Sequence, residues 1–166
     1  FENMSPDSVS SSGSVYIGTV EDDDSMAYTI SADDVDAIEW MNSGTNLQVG
    51  TRSGEWQVTS NGAVITPTDV VVSRHTKVGS ARVQPVAVGH TTLYLQRARR
   101  ELYELSFSFD INGLVSQPMT RLAKHITLGG ITEIAYQQQP HSILWMPRGD
   151  GQLLSLTYRR DEDVVG

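Results

Sequence analysis

Four histidines, His75, His90, His125 and His141, are the first candidates for metal or general-base chemistry, and their spacing argues against both. No His-x-x-x-His or His-Glu-x-x-His pair occurs, so they read as surface or loop residues rather than as zinc ligands. A serine hydrolase wants Gly-x-Ser-x-Gly at a strand-to-helix turn. The nearest string, Gly50-Thr51-Arg52-Ser53-Gly54, has the wrong spacing and falls in a predicted hairpin. Asp22-Asp23-Asp24 with Asp33, Asp34 and Asp36 offers hard oxygens for Ca²⁺. The alternating acids, Gly and distant Glu of a calcium loop are missing, and a solvated acidic face is the expectation. A glycosidase-type carboxylate pair is defined by its separation in space, and nothing in the sequence selects one.

The one basic cluster, Arg97-Ala98-Arg99-Arg100, lies between Leu95 and Leu102, where a solvated hairpin turn is expected. In a functional reading it would touch a phosphate or an acidic neighbour such as the Asp-rich segment of an adjacent subunit. Gly149-Asp150-Gly151 is a turn signal before it is anything else; with Arg148 it spells an integrin-type tripeptide by coincidence. Trp40, Trp56 and Trp145 fall on strand positions, where large aromatic side chains fill the space between sheets. Sugar stacking by one of them is the functional alternative. No catalytic, cofactor-binding or metal-ligating residues are therefore expected.

Composition narrows the field further. The chain has 166 residues and no cysteine, which removes disulfide frameworks, zinc knuckles and thiol nucleophiles together. No apolar stretch approaches the ~20 residues of a membrane-spanning helix. The net charge of −8 is unevenly spread: residues 1–40 carry ten acids and no Lys or Arg, whereas the rest holds twelve bases against ten acids. A chain so charged lacks the basic footprint that broad nucleic-acid binding requires. It starts at Phe1 without an initiator Met or a leader, and so reads as an excised piece of something longer.

The elements that must position these residues are mostly strands. Residues 1–27, Ser/Gly-rich and acidic, read as a largely irregular arm in which only Val15-Tyr16-Ile17 looks like a strand. Tyr28-Thr29-Ile30 has strand character, and Ser31 could cap a helical turn. Alternating apolar runs then follow at 37–41, 46–51, 55–59, 70–75, 86–88, 92–96, 101–107, 131–137, 142–146 and 153–158. Between Pro118 and Ile126 the pattern changes: Met119, Leu122, Ala123 and Ile126 have helical spacing, with Gly129-Gly130 as a stop, which predicts one short helix near 118–127.

The strands repeat. Leu47 to Trp56, Leu93 to Leu102 and Leu144 to Leu153 each show apolar-x-apolar, a polar turn with a base, then Glu or Gln before a large apolar residue, at separations of 46 and 51. The expectation is an all-β, mainly antiparallel domain over 28–166, with blade-like repeats around 37–59, 83–107 and 131–158. A small sheet cannot bury both its faces alone, so such copies stack and share a core. Three copies are fewer than the four or more blades of a closed propeller.

The order of landmarks carries a resemblance. Glu21-Asp22-Asp23-Asp24-Ser25 leads to Tyr28-Thr29-Ile30, Val35 to Trp40, Val49 to Trp56, Thr66-Pro67-Thr68 and Val83-Gln84-Pro85. Leu102 to Leu105, Ala135 to Gln138, Leu156-Thr157-Tyr158 and Asp163 to Gly166 close the series. From about residue 20 onward this resembles the central region of bacteriophage and prophage tail nozzle proteins, also called tail tubular or stabilisation proteins. The resemblance implies a non-catalytic virion component of propeller-like sheets. It would assemble with other tail subunits, as a homo-oligomeric ring in the full-length protein, around the DNA exit channel. The partners implied are tail subunits, with no specific nucleic-acid binding and no membrane; the location is the virion, and the host cytoplasm during assembly. The alternatives are a propeller-like binding module for a glycan or protein, which wants exposed aromatics, and a hydrolase, which wants converging carboxylates.

Overall fold

A computed structural model describes residues 24–30, 36–44, 46–62 and 64–159, together with the backbone of 164 and 165. The alternating runs become three antiparallel sheets of four strands each, and in every sheet the strands follow chain order. The first sheet holds β1 (Ile38–Ser43), β2 (Leu47–Thr51), β3 (Glu55–Thr59) and β4 (Val71–Thr76). The second holds β5 (Val86–Val88), β6 (Thr91–Leu95), β7 (Leu102–Ser108) and β8 (Gly113–Pro118). The third holds β9 (Ala135–Gln137), β10 (Ile143–Pro147), β11 (Leu153–Arg159) and β12 (Val164–Val165). The chain is all-β, and short polar turns suit the hairpins that join neighbouring strands.

The middle sheet is buried on both sides. Every residue of β6 is buried, and its side chains divide by the two-residue strand period. Leu93 and Leu95, with Leu102 of β7, join Leu144, Met146, Leu156 and Tyr158 of the third sheet in one core. Tyr94, with Leu105 and Leu114, joins Trp40 of the first sheet in another. The segments between sheets add Ala81, Val83, Ile131 and Ile134 to the larger core. Each fully buried Leu contributes roughly 1.5–3 kcal/mol, enough to make the middle sheet the keystone of the stack.

The crossovers between sheets repeat as well. Gly79 and Gly130 both adopt positive φ, +80° and +73°. Each precedes a residue whose amide bonds to a hairpin carbonyl of the preceding sheet: Ser80 N to Thr51 O at 2.8 Å, and Ile131 N to Arg99 O at 2.7 Å. At Gly79 the requirement is doubled, because a Cβ would come within 2.2 Å of the Arg52 carbonyl oxygen. The bridges Ser80 to Gln96 and Ile131 to Arg148 complete the correspondence.

Three expectations need correction. The predicted helix near 118–127 contracts to a single 3-10 turn at Arg121–Ala123, with no buried residue. Met119 packs against the larger core, but Leu122 is 97% exposed and Ile126 is also exposed, so the apolar residues at helical spacing do not form one covered face. The segment is held instead by Leu102 N donating to Thr120 Oγ1 at 3.0 Å and by Thr127 Oγ1 donating to Arg100 O at 2.6 Å. Its first residue, Pro118, ends a strand, β8, that the apolar pattern does not announce. Tyr28-Thr29-Ile30 is not a strand; the Tyr28 hydroxyl donates to the Pro67 carbonyl. The Val15–Ile17 strand and the turn after Ser31 lie outside the described residues.

The repeat register also shifts by one. Side chains that face the next sheet, such as Gln48 in β2 and Leu93 in β6, are 45 apart, not 46. Side chains that face the preceding sheet, such as Tyr94 in β6 and Met146 in β10, are 52 apart, not 51. A one-residue slip turns each side chain to the opposite face, so only the corrected spacing superposes core on core.

Candidate functional site

The sequence candidates do not converge. His75 lies on β4, half-buried, and its Nδ1 accepts the Leu114 amide at 3.2 Å, tying β4 to β8. Burial alone holds its pKa below the ordinary histidine value. His90, His125 and His141 are exposed. Ser53 sits in the β2–β3 hairpin, where its amide and hydroxyl both donate to the Asp36 carboxylate. Partial burial works to raise the Asp36 pKa, but these bonds and others from Thr51 and Arg52 outweigh it and keep the carboxyl below its usual range. Ser53 is thus a turn residue whose hydroxyl is bonded to Asp36. Asp22, Asp23, Asp33 and Asp34 lie outside the described residues, and no group of three or more His, Asp or Glu among the described residues is placed to hold a metal. Arg97, Arg99 and Arg100 are exposed in the β6–β7 turn. Arg148 pairs with Asp150 across the β10–β11 turn and donates to the Ile126 carbonyl at 2.6 Å.

The tryptophans divide by face. Trp40 packs between the first two sheets, its ring 5.6 Å from that of Tyr94. Trp56 is buried on the opposite face of the first sheet, paired across strands with Val49 and capped by the Arg74 guanidinium at 5.4 Å. Trp145 is half-buried on the face of the third sheet turned away from the second, and donates to Gln137 Oε1 at 2.9 Å. Two of the three are therefore packing residues, and none stands free in a cleft.

Two carboxylates that the sequence did not single out lie between sheets. Glu55 begins β3 with no exposed surface, and its carboxylate accepts Thr76 Oγ1 and, at 3.0 Å, Ser80 Oγ. Desolvation raises its pKa despite hydrogen bonds from Thr76, Ser80 and Tyr94. Burial, with the Glu55 charge nearby, likewise raises the pKa of Tyr94, whose hydroxyl lies 2.6 Å from Ser116 Oγ. Between the second and third sheets, Tyr158 OH donates to Glu104 Oε2 at 2.9 Å and lies 3.1 Å from Thr91 Oγ1. The one signal available was a Glu on an otherwise apolar strand face, as at Leu102-Tyr103-Glu104-Leu105.

What the fold does bring together is a set of turns. The loops β1–β2, β5–β6 and β9–β10 occupy equivalent places in the three sheets and open two clefts between them. The cleft between the first and second sheets, about 620 Å³, is lined by Asn42, Gln48, Gln57, Thr92, Phe107 and Phe109 among others. The cleft between the second and third, about 750 Å³, is lined by Thr91, Tyr136, Gln138, Ser142, Tyr158 and Arg159 among others. Gly89 and His90 of the β5–β6 turn wall both. Among the described residues, no Asp or Glu lines either cleft, so these residues form no paired-carboxylate arrangement of the kind used in glycoside hydrolysis. Set against models of known protein families and against curated proteins, the sequence matches none.

Proposed function

We propose that this chain is a non-catalytic wall segment of a bacteriophage or prophage tail, nozzle-like, built around the channel through which DNA leaves the virion. In this reading the three sheets are blades of a larger propeller-like body, and the partners are other tail subunits arranged as a ring. The resemblance of the landmarks from residue 20 onward is one support. The structural observation that supports it best is the stack itself: three sheets of the same strand order, the middle one buried on both faces. Such a body resists deformation because no sheet can move without opening a shared core.

Channel chemistry in this reading is the absence of affinity. A chain with a net charge of −8 repels phosphates more than it neutralises them, so in this reading duplex DNA passes without pausing. Fluorescence anisotropy with a short duplex at ~0.15 M salt, where the Debye length is about 8 Å, tests this directly. The expected result is no binding at micromolar protein. Measurable, salt-dependent binding contradicts the inert-wall reading.

A further inference from the structure

We propose that the cleft between the first and second sheets is a binding site for a neutral oligosaccharide. Its floor is a row of carboxamides laid side by side across three strands. Asn42 of β1 is paired in register with Gln48 of β2, and Gln48 with Gln57 of β3. All three lie on the face that looks toward the second sheet, one row beyond Trp40 and Glu55. The row is held in place from across the cleft: Asn42 Nδ2 donates to Thr92 Oγ1 at 2.9 Å, and Thr92 Oγ1 donates to Gln48 Oε1 at 2.6 Å.

These bonds leave specific groups free for a ligand. Asn42 Oδ1, Gln48 Nε2 and the whole Gln57 amide have no hydrogen-bond partner among the described residues. Gln57 is only 8% exposed and lines the cleft, so the sole route from its amide to a partner is through the cleft. A carboxamide both donates and accepts, which matches the hydroxyl groups of a sugar, each of which does the same. A buried amide aimed at such a ligand also discriminates sharply, because a partner without the hydroxyl leaves it unsatisfied.

The rim supplies the other half of sugar recognition. Phe107 and Phe109 meet edge to face at 5.2 Å, and Phe109 is 89% exposed. An exposed phenyl face beside a row of amides suits the apolar C–H face of a pyranose ring. Among the described residues, no Asp, Glu, Lys or Arg lines the cleft, which favours an uncharged ligand over an acidic or basic one. The aromatic residues concerned are not the tryptophans that the sequence offers, which are packed or already bonded.

The inference is independent of the wall reading, since a wall segment with or without this site has the same fold and neighbours. The test is a titration of the ¹⁵N-labelled chain with maltotetraose, cellotetraose and N-acetylchitotetraose, each to about 10 mM, where even a millimolar site is mostly filled. The expected result is that at least one of them shifts the side-chain amide signals of Asn42, Gln48 and Gln57. Phe109→Ala, at an exposed position that does not threaten folding, weakens that binding by up to about tenfold. Gln57→Ala, checked for folding by its backbone spectrum, weakens it as well. No shift with any of the three sugars overturns the proposal. So do shifts confined to the other cleft, an affinity unchanged by Phe109→Ala, or a Phe-containing tetrapeptide that moves these amides when no sugar does.

Discussion

The Trp40 indole occupies the space in which a side chain at Gly50 would stand: a Cβ there would come within 2.1 Å of the ring atom Cε2. The two residues are cross-strand partners, and Trp40 fills the core between the first and second sheets because Gly50 lets it lie close. Gly50→Ala is expected to destabilise the fold by about 1–3 kcal/mol through overpacking. Gly44→Ala, in a turn where the nearest atom to an added Cβ is 3.7 Å away, is expected to stay within about 0.5 kcal/mol of the parent. Urea unfolding of the two variants checks this, and equal losses would remove the Trp40–Gly50 contact from the explanation.

Tyr158 holds the third sheet to the second through its hydroxyl, which reaches both Glu104 and Thr91. Tyr158→Phe keeps the ring in the core but removes a donor to a buried carboxylate. The expected cost is about 1–3 kcal/mol, the range for leaving a buried acceptor without its donor. Urea unfolding measures it, and a loss within error of zero would mean that the hydroxyl contributes nothing to the join.

Glu55 makes stability depend on pH in an unusual direction for a carboxylate. Burial raises its folded pKa above the unfolded value, so the folded state holds its proton to higher pH. Its contribution is therefore fully present below the ordinary value of 4.5 and is lost as pH rises through the folded pKa. Glu55→Gln does not titrate; its carbonyl oxygen accepts from one of the Thr76 and Ser80 hydroxyls, and its NH2 donates to the other. Relative to the parent, the Gln variant is expected to gain stability as pH rises above 4.5, the gain levelling off once pH passes the folded pKa. Parallel unfolding curves across that range, with a constant difference, would show that Glu55 does not titrate as described.

His75 runs the other way. Its folded pKa lies below 6.5, so its contribution is present above that value and is lost as pH falls through the folded pKa. Protonation takes away the Nδ1 lone pair that accepts the Leu114 amide. His75→Ala is expected to cost about 1–2 kcal/mol at pH 7.5 and less at pH 5, where the unfolded parent takes up a proton that its folded state resists. A cost that does not change between the two pH values would contradict the assignment.

The sequence made the class of fold legible, because strand runs in this chain alternate cleanly between turns. β3 and β5 coincide with their predicted spans, and the hairpins at 52–54, 98–100 and 148–151 stand where Gly and Arg clusters put them. β8 was missed because Gly113 to Pro118 mixes two apolar residues with Ser, Gln and Pro, and its burial comes from the neighbouring β7 and from Trp40 rather than from its own pattern. The 118–127 segment misled for the opposite reason: helical spacing at Met119, Leu122 and Ile126 signals a helix only when something covers that face, and Leu122 faces solvent. The cleft was illegible altogether. Asn42, Gln48 and Gln57 are separated by turns in the chain and become a row only through strand register, which the sequence does not spell out.

The proposed role is tested most directly by electron microscopy of particles purified from cells that express the protein from its own genome, labelled with an antibody raised against this chain. The account predicts label at the tail, around the axis through which DNA leaves. Label confined to the capsid, or present only in the soluble lysate and never on particles, would contradict it.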